Sequence, residues 1–133
     1  MHITSTAISL NVSDVEASAE WLRKHLGFTV AMAADGFCSL AHESAGVNLV
    51  YLRAGLPTFK PESVAGRADG ILVVFTVDDI DAEYVRLRSE GVDVVTPIET
   101  EPWGERYFQM ADPNAVIYQL VQWVEPTDAK YKQ

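Results

Sequence analysis

The chain has 133 residues, 48% of them hydrophobic, which is enough for one domain with a proper core. Its 19 acidic residues against 10 Lys and Arg give a formal net charge of -9. Phosphate backbones are bound by clustered cations, so nucleic acid is not an expected partner. The single cysteine, Cys38, excludes an internal disulfide and fits a reducing compartment. No apolar run is long enough to cross a bilayer, and Met1-His2-Ile3-Thr4 lacks the basic and apolar stretches of a signal peptide, so a cytoplasmic protein without membrane contact is expected.

In chain order, the first expected strand ends at Val12, with Ile8, Leu10 and Val12 on one face and Ala7, Ser9 and Asn11 on the other, a period of two. Ser13 and Glu16 have the spacing of a capping box for the helix that follows. Its Val15, Ala19, Leu22 and Leu26 form an inward stripe, and Gly27 suits its end. His25, beside Lys24, is expected to be solvated. Short strands are expected over 29–32, 37–41 and 47–52. A second set follows: a strand over 71–77, a helix over about 79–90, and strands over 92–95, 106–110 and 116–123, with Asp112-Pro-Asn-Ala115 as the turn before the last. Proline and glycine between the two sets mark a connector. The chain reads as one domain over 1–133: a first module at about 3–53, the connector at about 54–69, a second module at about 70–124, and a polar tail at 125–133 expected to fray.

The two sets are copies of each other. At an offset of about sixty-five residues, Val12, Asp14, Val15, Ala17 and Leu22 recur as Val77, Asp79, Ile80, Ala82 and Leu87. Together with the sequence Val12-Ser-Asp-Val15 leading into the first helix and Leu26-Gly27-Phe28 closing it, the stretch Pro102-Trp103-Gly104-Glu105-Arg106-Tyr107-Phe108 followed by Asp112-Pro113-Asn114 resembles the vicinal oxygen chelate superfamily. That superfamily takes in glyoxalases, extradiol dioxygenases and bleomycin-resistance-type binding proteins. The resemblance runs over nearly the whole chain. It implies an α+β fold of tandem βαβββ modules, a cupped, mostly antiparallel eight-stranded sheet around a cavity, and a homodimer. In metal-dependent members four side chains on four strands hold a divalent ion. Through the repeat, those positions fall here on Ala7, Asn48, Leu72 and Gln119.

Two of the four offer no donor atom, and the two amides are weak neutral ligands for a divalent ion. No metal or other cofactor is therefore expected. His2, His25 and His42 lack metal-site spacing, and Cys38 has no basic neighbour that would make it a nucleophile. A lining of Ala7, Ser9, Asn48, Leu72 and Gln119, with Trp103 in its Pro-Trp-Gly turn and Trp123 on the parity of Gln119, suits a planar or heteroaromatic ligand. If Phe108 and Met110 pack under a helix, Tyr107 joins that lining with Glu105 and Gln109; the opposite register swaps the sets. Arg106 is either an ion-pair partner for Glu99, Glu101 or Glu105 or an anchor for a ligand carboxylate. The expected function is binding of a small molecule, an antibiotic or a metabolite, as in the metal-free branch of the superfamily, with no catalytic residue. The alternative is a glyoxalase-like lyase or isomerase with an unorthodox metal site or with Glu105 as a base.

Overall fold

The computed structural model describes residues 1–57 and 65–132; the middle of the expected connector, 58–64, and Gln133 lie outside the described residues. The elements run β1 (Ala7–Val12), α1 (Val15–Leu26), β2 (Thr29–Ala34), β3 (Phe37–Ala41), β4 (Asn48–Arg53), β5 (Leu72–Thr76), α2 (Ile80–Ser89), β6 (Asp93–Thr100), β7 (Glu105–Ala111) and β8 (Ile117–Trp123). The βαβββ unit thus occurs twice in an α+β fold. The eight strands form two four-stranded sheets, ordered β1-β4-β3-β2 and β5-β8-β7-β6, one in each of two compact units, Met1–Gly70 and Ile71–Gln133. In each sheet the first strand runs parallel to the last, and the other pairings are antiparallel.

The duplication extends to details. Both helices are capped by the repeated aspartate: Asp14 accepts from the Ala17 amide and Asp79 from the Ala82 amide, each at 3.1 Å. The Ser13–Glu16 capping box is thereby corrected, because the extended residue directly before α1 is Asp14, whose carboxylate takes the N-cap role. Each unit also carries a β-bulge at the same point of its second strand, between Val30 and Met32 and between Val94 and Thr96. A bulge reverses the side-chain parity beyond it.

In the first unit Leu10, Val12, Leu40, Leu49 and Tyr51 lie on the helix-covered side of the sheet, and α1 packs over β2, β3 and β4 with Trp21 and Leu22 buried. Burial on this scale stabilises by roughly 1.5–3 kcal/mol for each large side chain. His25 is a correction to the sequence reading. It is buried rather than solvated, because it sits one turn after Trp21 and meets the indole edge-on at 5.5 Å. Cys38 is packed in the same core, where desolvation pushes its thiol pKa up. In the second unit Phe108, Met110, Tyr118 and Leu120 are buried on the α2 side, with Tyr84 of α2 edge-on to Phe108 at 4.8 Å.

β6 runs on to Thr100, beyond the expected 92–95, although it contains Pro97. As an edge strand it has one side without ladder partners, where a residue lacking an N–H is tolerated. The tail, expected to fray, carries backbone and ring contacts over its described residues. The amides of Thr127 and Asp128 donate to the Pro102 carbonyl at 3.1 and 3.3 Å, a 3-10 turn covers Ala129–Tyr131, and Tyr131 meets Trp103 edge-on. No helix among the described residues is long and apolar enough to cross a membrane.

Candidate functional site

With Phe108 and Met110 under α2, strand alternation sends Glu105, Tyr107 and Gln109 to the opposite, open face of the second sheet. Register then fixes their neighbours. Gln119 pairs with Gln109 on one side and Val74 on the other, Val121 with Tyr107 and Thr76, and Trp123 with Glu105. Leu72 and Val74 on β5 and Trp123 on β8 remain exposed, at 45%, 46% and 59%. The open face therefore combines apolar and aromatic surface with a band of polar groups.

That band is a continuous hydrogen-bonded row across three strands. The Thr96 hydroxyl donates to Gln109 Oε1 at 2.7 Å, Gln109 Nε2 donates to Gln119 Oε1 at 2.8 Å, and Gln119 Nε2 donates to Glu105 Oε2 at 3.3 Å. Gln119 is only 4% exposed, so these bonds satisfy an amide that would otherwise be desolvated at a cost of about 1–3 kcal/mol. Beside the row, the Tyr107 hydroxyl lies 2.6 Å from Glu99 Oε1 and 2.9 Å from Glu101 Oε1, with one hydrogen to donate between them. Hydrogen bonding to Glu99, then to Glu101, holds this phenol well above its usual ionisation range.

The first unit has a plainer open face. Ala7 pairs with Asn48 and Ser9 with Val50; Ala7 and Ser9 are exposed, and Asn48 is half-buried with no side-chain hydrogen-bond partner among the described residues. Of the residues expected to line a site, Ala7, Ser9 and Asn48 thus share one sheet face, and Leu72, Tyr107, Gln119 and Trp123 share another. Trp103 stands apart in the β6–β7 turn, 41% exposed, with Tyr131 against its ring. Arg106 is corrected from both expected roles. It lies on the helix side, where Nε and Nη2 hold Asp81 of α2 at 3.2 and 2.6 Å and Nη1 donates to Thr100. Thr96 was not among the expected site residues, and Glu99 and Glu101 were expected only as partners of Arg106, because the expected strand stopped at 95 whereas β6 runs on to Thr100.

The donor set does not fit a divalent metal. Ala7 and Leu72 have no donor, Asn48 and Gln119 offer only neutral amides, and no group of three or more His, Cys, Asp or Glu side chains among the described residues is arranged to hold an ion. His42 lies against Phe28, with its Nδ1 accepting from the Ser44 amide.

Residues 2–119 match the Glyoxalase/Bleomycin resistance protein/Dioxygenase superfamily. A crystal structure of a glyoxalase/bleomycin resistance protein/dioxygenase from Nocardioides is 27% identical, with a TM-score of 0.78 over 94% of this chain and 86% of that one. TnmS3, an antibiotic binding protein from Streptomyces sp. CB03234, is 25% identical, with a TM-score of 0.72 over 93% of this chain and 99% of its own. An uncharacterised protein of Mycobacterium bovis is 37% identical over 59 residues; the match spans 44% of this chain and 38% of that protein, well under half the length of this curated relative.

Proposed function

The chain belongs to the Glyoxalase/Bleomycin resistance protein/Dioxygenase superfamily, and from that premise we propose that it is a metal-free binding protein for a planar or heteroaromatic small molecule, an antibiotic or a metabolite, acting as a homodimer. The observation that carries this reading is the donor chemistry at the four positions where metal-dependent relatives bind an ion. Two are hydrocarbon, and the other two, Asn48 and Gln119, are neutral amides. Such a set suits a neutral ligand better than a dication. The likeness to an antibiotic binding protein at 25% identity supports the same direction. Exposed Trp123 beside the polar row and half-exposed Trp103 offer stacking surfaces, each aromatic pair adding about 0.5–1.5 kcal/mol beyond buried area.

The test begins with a thermal-shift screen of planar aromatic antibiotics, followed by affinity measurements on the best hit with the Trp103→Ala and Trp123→Ala variants. Loss of at least tenfold in affinity, about 1.4 kcal/mol, is expected from one or both. Unchanged affinity in both removes the stacking role. Sedimentation of the intact chain checks the dimer.

A further inference from the structure

The row Thr96–Gln109–Gln119–Glu105 has a direction, and one residue dictates it. A carboxylate only accepts hydrogen bonds, whereas a primary amide has a donating and an accepting end that can exchange by rotation. Facing Glu105 Oε2 at 3.3 Å, Gln119 must present its nitrogen. Its oxygen then faces Gln109, which must answer with its own nitrogen at 2.8 Å. The oxygen of Gln109 is left for Thr96, whose hydroxyl must donate at 2.7 Å. Among the described residues no other charged group is bonded into the row: Tyr107, Glu99 and Glu101 bond among themselves on the same face.

We propose that Glu105 is a positioning residue that sets the polarity of Gln119, Gln109 and Thr96 as a unit, so that the half-buried Gln109 amide offers its N–H and C=O to a ligand in one fixed order. Each amide nitrogen uses one of its two hydrogens within the row, and each amide oxygen one of its two lone pairs. What remains on Gln109 is a donor and an acceptor side by side. The complement is a planar group with an adjacent acceptor and donor, such as a lactam or carboxamide edge. A site whose amide order is fixed discriminates sharply against an analogue lacking one of the two groups, because the unmatched amide atom is left without a partner. The ligand half of this inference rests on the small-molecule reading above; the polarity half stands in the ligand-free protein.

Nuclear magnetic resonance of the ligand-free protein tests the polarity. In the wild type, scalar coupling through the hydrogen bond is expected from Gln109 Nε2 to Gln119 Cδ. Glu105→Gln, whose amide still has an oxygen to offer, is expected to keep that sense. Glu105→Lys places a pure donor at the end of the row, so the coupling is expected to reverse, running from Gln119 Nε2 to Gln109 Cδ, although the substituted side chain reaches Gln119 alone and does not touch Gln109. A purely structural role for Glu105 would leave the sense unchanged, and coupling in the wild-type direction in Glu105→Lys overturns the proposal. For the ligand half, phenanthridinone, a planar lactam, is expected to bind at least tenfold more tightly than its N-methyl derivative, which lacks the donor. Equal affinities overturn the lactam assignment. If no planar compound binds at all, it is the small-molecule reading that fails, and the coupling result is untouched.

Discussion

Gly104, in the turn that carries Trp103, is a position where substitution has a calculable cost. Its φ is +96°, and a Cβ built on it would collide with the backbone carbonyl oxygen of Val124. An alanine there incurs roughly 1–2 kcal/mol for the left-handed conformation, partly offset by about 0.4–1 kcal/mol from reduced freedom of the unfolded chain. The collision cannot be relieved by a side-chain rotation, because the obstructing atom is backbone. Moving Val124 strains the bond from its amide to the Gly104 carbonyl, 2.8 Å long, worth about 1 kcal/mol, and disturbs the tail bonds to Pro102. The expected total is about 2 kcal/mol. Gly91 is the matched control in the same unit, with φ +82° and no atom within 4 Å of an added methyl, so Gly91→Ala should cost about 1 kcal/mol or less. Urea unfolding followed by tryptophan fluorescence and circular dichroism gives both values. A Gly104→Ala protein within about 0.5 kcal/mol of Gly91→Ala, a margin below a single hydrogen bond, would refute the close approach of tail and turn.

Tyr107 should ionise well above the usual phenol range, and Tyr107→Phe should remove a strongly alkaline phase of the tyrosinate absorbance titration; an unchanged titration contradicts the carboxylate contacts. Because its folded pKa is raised, the stability it contributes is fully present below the unfolded phenol value of about 10 and is lost as pH rises beyond it toward the folded value. Wild-type protein should therefore lose stability more steeply above about pH 10 than Tyr107→Phe does. Phe108→Ala, which empties a fully buried site against Tyr84, should cost about 3–5 kcal/mol in the same unfolding assay. A loss under about 1 kcal/mol would place Phe108 outside the core.

Much of the fold was legible because the same pattern is written twice. The aspartates at 14 and 79 and the alternation of Leu10 and Val12 belong to a repeat that a random chain would not carry. The register at 105–110 hung on which face Phe108 and Met110 took, and burial resolves it. Three things resisted a linear reading. The bulges beside Met32 and Thr96 shift parity without leaving a mark in composition. The capping residue of α1 lies one position beyond Ser13, since Ser13 and Asp14 are both good caps and only the backbone angle selects between them. The pairing of Arg106 with Asp81 joins residues 25 apart, across a helix and a strand, whereas Glu99 and Glu101, nearer in sequence, bond to Tyr107 on the other face. Of the candidate site, the residue types at 7, 48, 72 and 119 could be read directly, but the row linking Gln119 to Glu105 through space could not, because it depends on the pairing of β7 with β8.

The decisive measurement is the thermal unfolding midpoint of chelator-treated protein, titrated in parallel with zinc, nickel, manganese and ferrous ions and with a panel of planar aromatic antibiotics. A native-state ligand at a hundredfold excess over its dissociation constant adds about 2.7 kcal/mol, a rise of several degrees for a domain of this size. The expected result is no rise with any metal and a saturable rise with at least one planar compound. A saturable rise with a divalent metal and none with the planar compounds would contradict the assignment of a metal-free binding protein.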